Sequence, residues 1–228
     1  MDRKTMKKIF FSNKMAVICM VILLLIIVMS LLAPLSPYDP DASNVVDRLQ
    51  GISTAHILGT DDIGRDTFTR TLYGGRISLL IGCAAMCVST IFGTFIGTFS
   101  GYFGGIADVI CMRIVDVFMS VPSLLFIIVV YAFLPRNLVT LVVMLAFFSW
   151  SKVARVVRAQ TLTLKERDFV LAAKALGVSQ GKIIWKHIIP NLMPQIIVSA
   201  SLSIANAILD ESALSFLGYG VQLPMASW

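Results

Sequence analysis

Several groups of residues in this 228-residue chain have types and spacings that invite chemistry. Nucleotide binding is the first to weigh. Gly177 to Lys182 reads GxxxGK followed by Ile183, one residue short of a phosphate-binding loop and without the Ser or Thr that holds magnesium. Gly59 to Gly64 has the full glycine spacing, but Arg65 and Asp66 stand where Lys and Ser/Thr are needed. Neither stretch is expected to bind nucleotide. The expectation is a non-enzyme. Metal chemistry has no better footing: His56 and His187 are far apart, with no HExxH and no Cys partner. Both read as polar surface or interface residues. Cys19, Cys83, Cys87 and Cys111 lie in or beside apolar runs without a CxxC pair, and read as buried small hydrophobes. No metal and no cofactor is expected. Asp210 and Glu211 close a long apolar run, where a carboxylate needs water or a partner. They sit either at the outer membrane interface or along a hydrophilic path through the membrane.

The elements that position these groups follow from composition. Hydrophobic residues make up 57% of the chain and charged residues 14%, against about 25% charged in ordinary soluble domains. Mean hydropathy is +0.85. The expected fold class is an all-α polytopic membrane protein. The net charge of +6 does not point to nucleic acid, because the basic residues cluster in two blocks beside apolar segments. That pattern marks the cytoplasmic side of a membrane.

Residues 1–14 form a basic cytoplasmic N-terminus, and 15–33 a first transmembrane helix stopped by Pro34. Its 19 residues exceed the core of a secretory signal, about 7 to 15 residues, and Ala-Pro-Leu-Ser-Pro is a poor cleavage site. Residues 34–76 are extracytoplasmic: from 35 to 76 there are six aspartates, four arginines and no lysine. The core, 77–228, opens with a second span that stays uncharged from Ile77 to Asp108, more than the roughly 20 residues a crossing requires. Gly93, Gly97, Gly101 and Gly105 recur every four residues there, which predicts one bare helix face and close packing of a neighbour. A third span is expected over 117–134, a short fourth over 138–151, and a fifth from about 188 to 209 that ends at Asp210 and Glu211. The last seventeen residues read as a loop or re-entrant piece.

Between the fourth and fifth spans lies a loop, 152–190, with eight Lys or Arg against Glu166 and Asp168. Its charge puts it in the cytoplasm, and four crossings from a cytoplasmic N-terminus give the same side. Phe169, Ala172, Ala173 and Leu176 fall at i, i+3, i+4 and i+7, predicting a short amphipathic helix with one apolar stripe. Glu166 and Asp168 favour its N-terminus, Gly177 its left-handed end, and Ser179 can cap a second helix. The stripe either lies in lipid headgroups or docks in a groove on another protein. With only Phe169 and Leu176 large, insertion into lipid gains little.

Ala172-Ala173-Lys174-Ala175-Leu176-Gly177, with Pro190 thirteen residues later, resembles the EAA loop of binding-protein-dependent ABC importer permeases, E-A-A-x3-G-x9-I-x-L-P. Leu171 stands at the Glu position, His187 at the Ile and Ile189 at the Leu. Those changes resemble the peptide and nickel branch. Leu58-Gly59-Thr60-Asp61 running to Gly64-Arg65-Asp66 is similar to the L-G-T-D-x-x-G-R-D signature of that branch. Arg113, Asp116 and Pro122 fit its R-x-x-D-x5-P run, and Ser215 to Gly220 its S-F-L-G-x-G segment. The resemblance implies a transmembrane domain similar to the second permease of dipeptide, oligopeptide or nickel importers, in a bacterial cytoplasmic (inner) membrane. Its partners would be a homologous permease, two cytosolic ABC ATPases, an extracytoplasmic solute-binding protein and membrane lipid, with no nucleic acid. Carried over, Asp168, Phe169, Leu171, Ala172, Ala173 and Gly177 would couple to the ATPase. Asp210 and Glu211 stay open between the outer interface and a lining of the translocation path. Asp61, Gly64, Arg65 and Asp66 form either a binding-protein contact or a structural turn, with Arg65 and Asp66 as an ion pair in the latter case.

The family has six spans and this chain shows about five, so a truncated and inactive permease is one alternative expectation. A membrane scaffold or secondary transporter is another, although the internal repeat a secondary transporter usually carries is not evident.

Overall fold

The computed structural model describes residues 10–222 and 224–228. Most of the expected cytoplasmic N-terminus, residues 1–9, lies outside them. Eight α-helices are named here in chain order, and among the described residues β-structure is limited to an isolated Thr60–Asp66 bridge. Four helices are long and apolar enough to cross a membrane, or five crossings if one bent pair is counted together.

The chain divides into two compact units, one comprising residues up to Ser78 with the last six residues, the other Leu79–Gln222. In the first, α1 (Lys14–Leu31) starts where the Asn13 side chain accepts the Ala16 amide at 3.3 Å. It is apolar all round and almost wholly exposed within its own chain. After α1 the chain passes through two 3-10 turns, Ala33–Leu35 and Val45–Asp47, to the first residues of α2 (Thr67–Phe103).

The 37 residues of α2 make a helix about 55 Å long, so it begins well before the expected Ile77. The early arginines, Arg70 and Arg76, hid that start because a hydropathy reading stops at charge. Arg70 instead reaches sideways and donates to the Pro40 carbonyl at 2.8 Å.

In the second unit, Gly104 and Gly105, both at positive φ, turn α2 into α3 (Gly105–Ser120). Val121 and Pro122 separate α3 from α4 (Ser123–Tyr131), and the two helices are bent by 82°. Proline lacks the amide that would continue α3. The region of the expected third span is thus two helices meeting at a sharp bend, the geometry of a broken span or of a re-entrant loop. α5 (Leu138–Leu164) is a full 27 residues, and the first part of the expected basic loop is its continuation. Two short helices follow, α6 (Asp168–Ala175) and α7 (Gln180–Ile183), then a π-helical stretch Ile184–Ile188 that runs into α8 (Ile189–Phe216). Pro190 has no amide to donate, and just ahead of it the ladder slips so that the Ile189 amide bonds the Ile184 carbonyl.

The glycine steps of α2 do what their spacing predicts. An added Cβ on Gly93, Gly97 or Gly101 would come within 2.4–2.8 Å of the backbone or Cβ atoms of α5 at Trp150, Val153, Ala154 and Thr161. Gly105 is not part of this stripe. A Cβ there meets nothing within 4 Å, and its φ of 56° places it in the turn between helices. The cysteines correct another expectation: Cys19, Cys83 and Cys87 are exposed and Cys111 half-buried, all as free thiols. They lie on helix faces that this chain leaves uncovered.

Candidate functional site

The short helix α6 is built as a rigid tab. The Gly177 amide bonds the Lys174 carbonyl at 3.0 Å and the Val178 amide reaches Ala173 at 3.1 Å, with Gly177 at φ 74°. This pair of bonds ends the helix at the glycine and satisfies its last carbonyls. Val178 then packs on the same apolar cluster that buries Val170 and Ala173. The cluster draws Tyr102 from α2, Val153 and Val157 from α5, Ile183 from α7, Ile188 from the π-helical stretch, and Leu192 and Ile196 from the start of α8. Lys174 lies with its ammonium 5.3 Å from the Tyr102 ring centroid, in cation–π range.

The expected single stripe is thus divided. Ala173 turns inward with Val170, whereas Phe169, Leu171, Ala172, Leu176 and Gly177 stay exposed. The α-helical period explains it: residues 170, 173 and 174 share the face toward α2, and 169, 172 and 176 share the opposite one. Asp168 occupies the first turn, where the helix dipole favours a carboxylate. Ser179 stands at the N-cap of α7 as expected, but its side chain makes no capping bond.

Behind the tab, two charge pairs that spacing did not reveal tie α3 to α5. Arg158 donates through Nε and Nη2 to Asp108 at 2.8 and 2.5 Å, with the Ser100 hydroxyl also bonding that carboxylate. Arg155 pairs with Asp116. Lys165 closes the α2 end by donating to the Gly101 carbonyl at 3.0 Å. The basic residues of the expected loop are thus partly structural. Only a contact between segments 50 residues apart could have exposed this.

The segment before α2 forms a compact knot. Asp61 accepts from the Ile63 and Arg65 amides at 3.0 and 2.9 Å and from Arg65 Nε at 2.7 Å. Gly64, at φ 82°, passes so close to Asn44 that an added Cβ would lie 1.8 Å from its carbonyl oxygen. Asp66 caps α2 by accepting the Thr69 amide at 2.7 Å, and its other oxygen lies 2.9 Å from His56 Nδ1. Arg65 therefore pairs with Asp61, Arg70 with Asp41, and Asp66 is hydrogen-bonded to the His56 ring; Arg65 and Asp66 do not pair. His56 is buried, not a surface residue, and its ring packs at a tilt against Tyr38, centroids 4.9 Å apart. Burial alone would raise the Asp66 carboxyl, but bonds from Thr69 and His56 overcome it and hold the group below its ordinary range. Asp61 is likewise lowered, its burial outweighed by the Arg65 and Ile63 amides and the guanidinium.

Asp210 and Glu211 lie inside α8, not beyond its end. Glu211 is 0% exposed and accepts the Ser215 hydroxyl at 2.6 Å. Asp210 remains half-exposed one residue away. No group of His, Cys, Asp and Glu among the described residues has the arrangement of a metal site.

Residues 93–228 match the family described as binding-protein-dependent transport system inner membrane component, and residues 4–51 match the N-terminal transmembrane domain of oligopeptide transport permease C. The oligopeptide transport system permease protein OppC of Bacillus subtilis (strain 168) is 43% identical over 220 residues, covering 96% of this chain and 72% of that protein. The dipeptide transport system permease protein DppC of Alkalihalophilus pseudofirmus is 41% identical, over 95% of this chain and 71% of its own length. OppC of Escherichia coli (strain K12) is also 41% identical, over 96% of this chain and 74% of its own.

Proposed function

Starting from a chain that belongs to the binding-protein-dependent inner-membrane transport components, we propose that it is a peptide-conducting permease subunit of an ATP-driven importer. Peptides are favoured over nickel because the relatives described above carry oligopeptide and dipeptide names. The ATPase is a separate subunit docked on α6, and a second, homologous permease completes the path. The N-terminus lies in the cytoplasm, 34–66 lies outside, and the coupling segment returns to the inside.

The observation that carries this reading is the two-sided build of α6. One face, Val170 and Ala173, is locked into the ends of α2, α5 and α8, and the other, Phe169, Leu171, Ala172 and Leu176, is exposed apolar surface within its own chain. A partner that grips the outer face moves three membrane helices as one body. Closing a pair of ATPases would then tilt those helices, the rigid-body change that alternating access requires. Leu171 at the usual Glu position takes one polar contact from the grip and leaves its apolar area.

Replacing Ala172 by Arg places a long charge on the outer face without entering the inner seat. The expected result is a folded permease that no longer co-purifies with its ATPase and no longer drives peptide uptake. Retained co-purification together with ATP-driven uptake would overturn the assignment.

A further inference from the structure

A cavity of about 390 Å³ lies between α2 and the stretch that runs from α7 through the π-helical residues into α8, all within the second compact unit. That is the size of a small ligand site, whose range is about 300–1,000 Å³. Its walls are apolar side chains apart from Gly181 and three threonines, Thr90, Thr94 and Thr98. Their four-residue spacing lays the threonines along one face of α2 over about 12 Å. Ile91, Phe95 and Trp185 in the walls are 64–73% exposed, so the cavity is reached from outside the chain.

Packing within the chain leaves two features of these walls unexplained. Thr90 and Thr98 are 8% and 3% exposed, yet neither hydroxyl oxygen has a hydrogen-bond partner, and nor has that of Thr94. Buried hydroxyls in native proteins are paired. A helical threonine has two open rotamers, so one bond rotation re-aims its hydroxyl at whatever fills the cavity. Gly181 is the second feature. It lies inside the short helix α7, where glycine weakens the helix, and an added Cβ would meet nothing within 4 Å. Neither a turn nor a close approach requires it; what it does is leave the cavity open.

Charge selects the occupant. Lys182 and Lys186 follow directly on the lining residues Gly181 and Trp185, both are exposed, and neither has an ion-pair partner among the described residues. His187 comes next in the chain, and in the neighbouring tab Lys165, Arg167 and Lys174 outnumber Glu166 and Asp168. Asp108 and Asp116 of α3 are taken by Arg158 and Arg155. Other charges on the walls' own helices are distant: Arg76 precedes Thr90, and Asp210 follows Ile196, by fourteen residues, about 21 Å of helix. One end of the cavity is therefore cationic and its interior apolar. A helix of another subunit would cover the apolar walls but leave the lysines unmatched, whereas a lipid with an anionic head matches both. Trp185 supplies the indole that favours headgroup level. We propose that this cavity is a binding site for one anionic glycerophospholipid, its acyl chain along Thr90 to Thr98 and its phosphate beside Trp185, Lys182 and Lys186. The proposal needs only that α2 and α8 stand in a membrane, whatever the cargo.

The test uses the assembled complex in detergent, titrated with phosphatidylglycerol or phosphatidylcholine, with bound lipid counted by native mass spectrometry and the thermal midpoint followed. A lipid that binds the folded state raises the midpoint as its concentration rises. The wild type should retain phosphatidylglycerol at several-fold lower concentration than phosphatidylcholine. Gly181→Leu plugs the cavity without meeting backbone, and should weaken phosphatidylglycerol retention at least tenfold while keeping the lipid-free midpoint. Lys182→Gln with Lys186→Gln should bring the two lipids to equal affinity. If the lysine variant loses the preference and Gly181→Leu keeps it, the lipid gathers on surface charge alone and the cavity is not its site. A second measurement needs no variant: phosphatidylglycerol with a photoreactive acyl chain should label residues 90–98 and 184–196 of the wild type. Labelling elsewhere, or a wild type that does not distinguish the two lipids, overturns the proposal. So does a crosslink from position 185 to a second permease in place of lipid.

Discussion

Asp66 concentrates three duties in one carboxylate: it caps α2, pairs with His56 and closes the knot at the Thr60–Asp66 bridge. Because its folded form holds a proton less readily than the unfolded chain, the unfolded state binds more protons over the acid range. The stabilisation is then fully present above the ordinary carboxylate pKa of about 3.9 and is lost as pH falls through the lower folded value. Asp61 carries the same sign. Hydrogen exchange at residues 44–66 should therefore accelerate as pH is lowered below about 4, after correction for intrinsic rates, and an acid-insensitive knot would contradict the pairing. Asp66→Asn should cost roughly 1–3 kcal/mol by weakening the buried hydrogen bonds of a carboxylate and should abolish part of that acid dependence. Glu211 is the second informative residue. Glu211→Ala deletes a buried side chain with its Ser215 bond and should lower the unfolding midpoint, whereas Asp210→Asn should leave it near wild type. If Asp210 lines the path, that variant alters uptake with normal assembly.

At the scale of elements, the contact between α2 and α5 depends on three absent side chains. A Cβ on Gly97 would sit 2.4 Å from the Ala154 carbonyl oxygen, an approach that only helix separation relieves. Gly97→Val should cost at least 1–3 kcal/mol, in the range of overpacked cores. Gly105→Ala meets open space and suffers only its positive φ, on the order of 1 kcal/mol. Thermal midpoints in detergent should rank wild type above Gly105→Ala, and that above Gly97→Val. A reversed order would break the distinction between stripe and turn. This pair also shows what was legible in the chain. Four-residue spacing announced close packing, but Gly93 to Gly105 look alike in sequence, and only the φ values separate packing glycines from a hinge. The spans were visible through hydropathy wherever charge was absent. They were misjudged where charges ride on helices: Arg70 and Arg76 at the start of α2, Arg155 and Arg158 along α5. For the candidate site, periodicity found the short helix and its glycine stop. It could not decide which apolar residues face inward, since that depends on where Tyr102 and Ile183 arrive from distant segments.

For the whole molecule, the proposed coupling role requires that α6 transmit force rather than only bind, and in that role the two demands fall on different residues. On that proposal docking would depend on the outer face, Phe169, Ala172 and Leu176, and transmission on the seat, where Val170 is fully buried among residues of α2, α5, α7 and α8. The π-helical stretch Ile184–Ile188 sits directly between the tab and α8. Its looser ladder concentrates bending there unless the seat holds it. Val170→Ala leaves the outer face intact and removes two methyl groups from the seat, a loss of order 1–3 kcal/mol in local packing. The expected phenotype is uncoupling: the ATPase still co-purifies and still hydrolyses ATP, while peptides moved per ATP fall. Ala172→Arg gives the opposite pattern, with docking lost and the permease folded. Measuring uptake and hydrolysis together in proteoliposomes separates the two. If Val170→Ala lowers hydrolysis and uptake in strict proportion, the seat contributes to docking alone, and force must enter the membrane helices by another route.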